Sequence, residues 1–155
     1  MGKDGEAASS AASRSSRAVR MAIPILGIAG MAISGYLTYV ELKGVEPVCL
    51  PGADCNAVLA SRYSHLWGIP VSIFGLLMYA LLTFFGFLLW RGRNERENLV
   101  TLAVFTVALS GTLYSAYLFY LQLVEIHAFC TWCIASALVV LSILVLSLRN
   151  LLVAR

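Results

Sequence analysis

Four cysteines are the residues of this chain whose type and spacing could do chemistry. Cys130 and Cys133 stand in a Cys-Thr-Trp-Cys motif, whereas Cys49 and Cys55 enclose the segment Leu-Pro-Gly-Ala-Asp. Thiols at positions i and i+3 of a helix face the same way, so the first motif could close a disulfide. The proline and glycine of the second segment favour a turn that would bring its two sulfurs together.

The Cys-Thr-Trp-Cys motif stands at the start of a long apolar segment, which predicts a helix beginning near Cys130. Unpaired N–H groups and the macrodipole at a helix N-terminus favour a thiolate. A thiolate is the attacking species in thiol–disulfide exchange. His127 is the nearby side chain that could assist if protonated, although a His in such a position is more often an ordinary interfacial polar residue.

Three interpretations of the four sulfurs compete. Two dithiols could pass electrons in series, both pairs could be structural disulfides, or four thiolates could bind zinc. Zinc sites usually repeat a tight Cys-x2–4-Cys pair twice, and here only the pair at 130 and 133 is that tight. A Cys-x-x-Cys bridge also closes too short a loop to stabilise a fold much by chain entropy. The spacing therefore favours the relay and leaves the structural alternative open.

The elements that must position these sulfurs are membrane-spanning helices. The chain is 60% hydrophobic and 12% charged, against about 45–50% and about 25% in soluble domains. A bilayer core needs roughly 20 apolar residues of helix. Small residues such as Gly27, Gly30 and Gly111 would allow close helix packing. We predict an all-α integral membrane protein, a four-helix bundle whose spans lie near residues 21–40, 69–90, 99–124 and 128–148.

Lysine and arginine residues predict the orientation of the bundle, because cytoplasmic loops carry an excess of them. Lys43 and Arg62 lie on the side of the long loop 41–68, which would carry a short helix near 55–62. The other nine of the eleven lie on the opposite side: Lys3, Arg14, Arg17, Arg20, Arg91, Arg93, Arg96, Arg149 and Arg155. We expect a multi-pass protein of the cell inner (plasma) membrane with both termini cytoplasmic. All four cysteines would then be exoplasmic or periplasmic, in an oxidising compartment where disulfides persist.

Residues 1–20 are polar, small and low in complexity, and we expect them to form a disordered cytoplasmic tail. Residues 21–152 would form the membrane domain. The net charge of +3 is too small and too scattered to indicate nucleic-acid binding. Membrane lipid is the expected environment, and no nucleic-acid partner is expected.

Several motifs in combination make the chain resemble the vitamin K epoxide reductase family, in its bacterial branch. They are the loop pair Cys49 and Cys55, Ser61 six residues later, the segment Trp67-Gly-Ile-Pro-Val-Ser-Ile-Phe-Gly75, and the Cys-Thr-Trp-Cys motif. The DsbB family also has four helices and two cysteine pairs, but there the Cys-x-x-Cys pair comes first. The resemblance covers roughly residues 21–148.

The resemblance implies a mechanism. A reduced thioredoxin-fold thiol oxidase, similar to DsbA, would attack a Cys49–Cys55 disulfide, and the loop dithiol would then reduce Cys130–Cys133. By the bacterial pattern, Cys55 would meet the partner and Cys49 would pass electrons to Cys130. Cys133 would pass them to a quinone (menaquinone, ubiquinone or similar), and Ser61 would lie beside that quinone. Ser61 could alternatively be a capping or packing hydroxyl.

Two departures from the animal members of the family affect the expected substrate. Where those members carry an Asn and a Tyr linked to the quinone oxygens, this chain has Val71 and Ala137. This argues against the alternative function, reduction of vitamin K quinone or its epoxide. A non-enzymatic four-span scaffold with structural disulfides is the other alternative. Many bacterial members carry a fused thioredoxin-like domain, and since this chain ends at Arg155 we expect its partner to be a separate protein.

Overall fold

The computed structural model describes residues 3–92 and 95–153, with side chains from residue 5 onward. Helices dominate these ranges, and the only strands within them are two short ones. In chain order the elements are α1 (Lys3–Lys43), α2 (Cys55–Leu59), a 3-10 turn (Arg62–Ser64), β1 (His65–Leu66), β2 (Ile69–Pro70), α3 (Val71–Arg91), α4 (Glu97–Leu121), a π-helical turn (Gln122–Ile126) and α5 (Thr131–Val153).

Four of the described helices are long and apolar enough to cross a membrane, namely α1, α3, α4 with its π-helical turn, and α5. The shortest, α3, has 21 residues, which corresponds to about 32 Å at 1.5 Å per residue. Many of their large apolar side chains are exposed on the outside of the bundle, as expected for surfaces that face lipid. The prediction of an all-α, multi-pass membrane protein is therefore confirmed.

The bundle is held together by close contacts between neighbouring helices. The most extensive packing is between α1 and α3, followed by α4 with α5, α1 with α5, and α3 with α4. Gly30 of α1 lies directly against the ring of Tyr79 in α3, and Gly111 of α4 lies against Met78. These glycines let the backbones approach, as the sequence predicted. The buried core around them includes Ile23, Leu82, Leu89, Val104, Ala108, Val140 and Ile143.

The N-terminal segment differs from the disorder expected over residues 1–20, because α1 already begins at Lys3. Met1 and Gly2 lie outside the described residues. The segment is rich in alanine and contains no proline before Pro24, so it extends an existing span without a new nucleation step. The Arg149 guanidinium donates a hydrogen bond of 3.1 Å to the Ser15 hydroxyl, which ties the extension to α5.

A tight hairpin connects the loop to α3. Trp67 and Gly68 join the antiparallel strands β1 and β2 with positive φ angles of 54° and 82°. Two successive positive φ angles are typical of the two-residue hairpin turn that suits strand twist. The hairpin delivers the chain to Pro70 at the head of α3. Residues 44–70 and 127–130 thus lie at the same end of the bundle, which we call the cysteine end.

Candidate functional site

Cys49 and Cys55 form a disulfide in the connection between α1 and α3, with a Cα–Cα distance of 6.3 Å. A turn brings them together, in which the Ala53 N–H donates to the carbonyl oxygen of Leu50 at 3.0 Å. Cys55 then opens α2, and the Asp54 carboxylate caps this helix by accepting the Ala57 N–H at 3.0 Å. The turn and the cap are local features, which is why a six-residue separation suffices for the pairing.

Cys130 and Cys133 are both free thiols at the start of α5. Cys130 is fully buried and immediately precedes the helix. The backbone N–H of Cys133 donates to the Cys130 sulfur at 3.3 Å, so the two residues lie on one face of the first turn. The buried Gln122 side chain accepts the Cys130 N–H through its Oε1 atom at 3.0 Å, and this contact fixes the backbone that carries the thiol.

The surroundings of Cys130 lower the pKa of its thiol. The main cause is a hydrogen bond from the Cys133 side chain, supported by the backbone N–H groups of Cys133 and Trp132. Burial raises this pKa, as a negative charge on Glu41 would, but these effects are outweighed. The contacts with Cys133 and Trp132 therefore favour a thiolate at Cys130. His127 is exposed on the turn before the motif.

The loop is held against the Cys-Thr-Trp-Cys motif by two long-range hydrogen bonds. The indole N–H of Trp132 donates to the carbonyl oxygen of Val48 at 2.7 Å. The Asp54 N–H donates to the carbonyl oxygen of Phe129 at 3.0 Å. As a result the four cysteines share one cluster, in which Cys55 and Cys130 are buried and Cys49 and Cys133 pack against them.

The two loop sulfurs differ in their accessibility. Cys55 is only 1% exposed and lies in the cluster with Cys130, whereas Cys49 is half-buried. If Cys55 is the residue that reacts with the thiol partner, as expected from the sequence, its sulfur must be accessible to the partner thiolate. In this structure Cys49 is the more accessible sulfur of the disulfide, and attack on Cys55 would require the loop to move.

An apolar cavity of about 320 Å³ lies beside the second cysteine pair, between the helices at the cysteine end. Cys133 lines this cavity and Cys130 does not. Ser61, Val71 and Ala137, which come from separate parts of the sequence, also line it. Pockets of this size with mostly apolar walls and few polar groups are typical of small-molecule sites.

The Ser61 hydroxyl has a local partner as well as a place in the cavity wall. It donates to the carbonyl oxygen of Val58 at 2.7 Å, at the end of α2. The Ser61 side chain therefore both caps the end of α2 and lines the cavity. To donate a hydrogen bond to a ligand, the hydroxyl would have to rotate away from Val58.

Polar side chains that the sequence analysis did not single out also belong to this site. Glu41, at the end of α1, lines the cavity and accepts a hydrogen bond from the Ser72 hydroxyl of α3. Gln122 positions Cys130 from the π-helical turn. One feature of the sequence could have indicated Glu41, because it directly follows about 20 apolar residues. Ionisable residues at the edge of an apolar span are commonly functional. Metal ligation has no support in the described ranges, where no group of three or more His, Cys, Asp or Glu side chains could hold an ion.

Comparison with known proteins gives a family for the chain. The model of the vitamin K epoxide reductase family matches residues 21–148, which include every site residue described above. A curated relative, the thiol-disulfide oxidoreductase LTO1 of Arabidopsis thaliana, is 28% identical over 127 residues, covering 77% of this chain and 33% of the relative. The chain thus spans about a third of the length of that relative. Because the family match covers most of the chain and all four spans, this protein belongs to the vitamin K epoxide reductase family.

Proposed function

We propose that this protein is a membrane thiol–disulfide oxidoreductase that oxidises a thioredoxin-fold thiol protein and passes the electrons to a quinone. One observation carries the proposal: Cys133 lines an apolar cavity and at the same time packs in one cluster with the loop cysteines. Electrons could then pass from the loop cysteines to Cys133 without a large movement of any of the four sulfurs. The relative named a thiol-disulfide oxidoreductase supports the same class of chemistry.

The proposed path begins at the loop disulfide. A partner thiolate attacks Cys49, the more accessible sulfur, and the partner's second thiol then resolves the mixed disulfide. The partner leaves oxidised, and the loop is left as a dithiol. Cys55, which lies in the cluster with Cys130, then exchanges with a Cys130–Cys133 disulfide, and Cys49 completes the transfer. Each exchange moves two electrons and conserves the number of disulfides.

The cavity residues fit a quinone headgroup. The walls are mainly apolar, as a planar ring requires, and the Ser61 hydroxyl, the Glu41–Ser72 pair and the Cys133 thiol are the polar groups that could face ring oxygens. When bound, a quinone such as menaquinone or ubiquinone supplies a two-electron acceptor. Cys133 is the sulfur placed to act on it, because it lines the cavity whereas Cys130 does not.

We also propose the orientation in which the cysteine end is exoplasmic. Arg20, Arg91, Arg96 and Arg149 lie at the opposite end of the described bundle, which the positive-inside rule assigns to the cytoplasm. An impermeant maleimide added to intact cells, after mild reduction, would label the cysteines in this orientation. If the cysteines were labelled only after the membrane is permeabilised, the cysteine end would face the cytoplasm and the proposed orientation would be wrong.

The function is tested with the purified protein in lipid nanodiscs. A reduced thioredoxin-fold dithiol protein is supplied, menaquinone or ubiquinone is added, and quinone absorbance is followed while the cysteines are trapped by alkylation. We expect quinone to be consumed and Cys130 and Cys133 to become oxidised when it is added. If their oxidation state does not respond to quinone, the four cysteines serve a scaffold and the proposal is wrong.

Reduction of vitamin K epoxide is the alternative within the family. Val71 and Ala137 line the cavity, and neither can hydrogen-bond through its side chain. The walls at these two positions therefore offer nothing to an epoxide oxygen, which favours a general quinone as the acceptor. Epoxide turnover measured in the same nanodiscs decides between the two substrates.

A further inference from the structure

The cavity wall contains a carboxyl group that the electron path does not use. Glu41 lies at the end of the apolar part of α1, is half-buried and lines the cavity. The Ser72 hydroxyl of α3 donates a hydrogen bond to its Oε2 atom. Glu41 lines the same cavity as Cys133, so the carboxyl and the sulfur proposed to act on the quinone belong to one site.

The proton balance of the proposed reaction leaves a gap. Reduction of a quinone to its quinol consumes two electrons and two protons. Oxidation of a dithiol to a disulfide releases two electrons, but it releases only as many protons as the sulfurs still carry. The surroundings of Cys130 favour its thiolate, with the Cys133 thiol as the hydrogen-bond donor. Such a pair supplies one proton, and the second must come from another group.

The carboxyl of Glu41 is the best placed group for the second proton. Apart from the Cys133 thiol and three tyrosine phenols, it is the only ionisable group among the described side chains that line the cavity. Phenols have a pKa of about 10 in water, so they are poor donors near neutral pH. The Tyr79 hydroxyl is in addition already engaged, donating to the carbonyl oxygen of Ser136 at 2.7 Å.

We propose that Glu41, held in place by Ser72, donates the second proton for quinone reduction in this cavity, a role that rests on the function proposed above. Two electrons leave the Cys130–Cys133 pair as its S–S bond forms. One proton leaves the Cys133 thiol and one leaves the Glu41 carboxyl, and both are taken up by the quinone oxygens. Glu41 then regains its proton from water at the cysteine end of the bundle, where α1 ends.

The test compares single-turnover reduction of a short-tailed naphthoquinone by the pre-reduced protein in nanodiscs. In Glu41→Gln the amide can still accept the Ser72 hydrogen bond but cannot give up a proton, so we expect reduction to slow by about tenfold to a hundredfold. Glu41→Asp should recover most of the rate. Glu46→Gln is the matched control, because Glu46 is exposed on the same end of the bundle and does not line the cavity.

Two further measurements separate proton donation from a structural role. The affinity of the fully oxidised protein for the same naphthoquinone, followed by quenching of tryptophan fluorescence, should fall much less than the rate in Glu41→Gln, because the amide can still hydrogen-bond to a ring oxygen. In Glu41→Ala, added acetate should restore part of the rate, since a small acid can occupy the vacated space and donate. A purely structural contact between α1 and α3 would not respond to acetate.

The outcomes are distinct. A wild-type rate in Glu41→Gln, or a rate loss explained entirely by weaker naphthoquinone binding, overturns the role of Glu41 and leaves the proposed function standing. Failure of the wild-type protein to oxidise Cys130 and Cys133 when naphthoquinone is added overturns the proposed function, and the role of Glu41 with it. A loss of rate much larger than the loss of binding, together with acetate rescue, supports both.

Discussion

The indole N–H of Trp132 donates a 2.7 Å hydrogen bond to the carbonyl oxygen of Val48, the residue before Cys49. The Val48 N–H in turn donates to the Tyr36 hydroxyl at 3.1 Å, and the rings of Tyr36 and Trp132 lie 4.9 Å apart. The middle of the Cys-Thr-Trp-Cys motif thus clamps the backbone of the other cysteine pair. The tryptophan of this motif therefore connects the two cysteine pairs.

Trp132→Phe should loosen the loop while keeping an aromatic ring beside Tyr36. The variant loses one hydrogen bond, worth about 0.5–1.5 kcal/mol, so amide exchange of loop residues 45–54 should accelerate by about two- to tenfold. Hydrogen-exchange mass spectrometry of the oxidised protein measures this. Trp67→Phe is the control, because Trp67 is 91% exposed at the hairpin tip. Equal loop exchange in wild type and Trp132→Phe would show that the clamp contributes nothing.

Cysteine variants should separate electron entry from electron exit. Cys133→Ala removes the sulfur that lines the cavity, so quinone reduction should be abolished with any thiol donor. Cys49→Ala should block entry from a thioredoxin-fold protein but spare entry from a small dithiol that reaches the Cys130–Cys133 disulfide directly. Quinone absorbance with each donor measures both effects. Full turnover by Cys133→Ala would contradict the assignment of Cys133 as the exit sulfur.

The pH dependence of Cys130 follows from the lowered pKa of its thiol. Because the folded protein holds this pKa below the ordinary value, the thiolate persists to lower pH than in a free cysteine, and it is lost as the pH falls through the lowered pKa. The rate of Cys130 alkylation should follow that curve, measured by mass spectrometry with the loop disulfide intact. Cys133→Ala removes the main stabilising hydrogen bond, so the curve should move to higher pH. An unmoved curve would assign the stabilisation to the backbone N–H groups alone.

Gly30 should be intolerant of even one methyl group. A Cβ at this position would overlap the Tyr79 ring, so Gly30→Ala should destabilise the bundle by about 1–3 kcal/mol. Gly35→Ala is the matched control on the same helix, because a Cβ there would meet only Leu76 at 3.9 Å. That variant should be neutral or stabilising by up to about 1 kcal/mol, the gain in helix propensity. Thermal unfolding in detergent compares the two, and equal behaviour would mean that α1 and α3 can separate without cost.

Much of the architecture could be predicted because it depends on local composition. Apolar runs of span length have one good solution in a bilayer, which is a helix. The four spans were therefore found with their ends displaced by only a few residues, except at the start of α1. There, the low complexity of the sequence predicts disorder. The structure shows a helix instead, because an alanine-rich segment joined to an existing helix can continue that helix.

The cysteines and Ser61 could be named from the sequence, whereas Glu41 and Gln122 could not. The four cysteines stand out by their spacing, and the predicted topology places them at one end of the bundle. Glu41 and Gln122 do not, because single polar residues at helix ends are common and carry no periodic signal. Only their positions in space connect Glu41 to the cavity and Gln122 to Cys130.

By itself the sequence determined that the chain spans a membrane four times and that two cysteine pairs share one end of the bundle. Hydropathy and residue spacing are properties of one segment, so they can be read without knowing which other segments pack against it. Tertiary structure decided which loop sulfur is buried, that Trp132 holds the loop, and that Cys133 opens on a cavity shared with Ser61 and Glu41. These facts depend on how helices pack against one another, and packing is set by contacts between residues far apart in the chain.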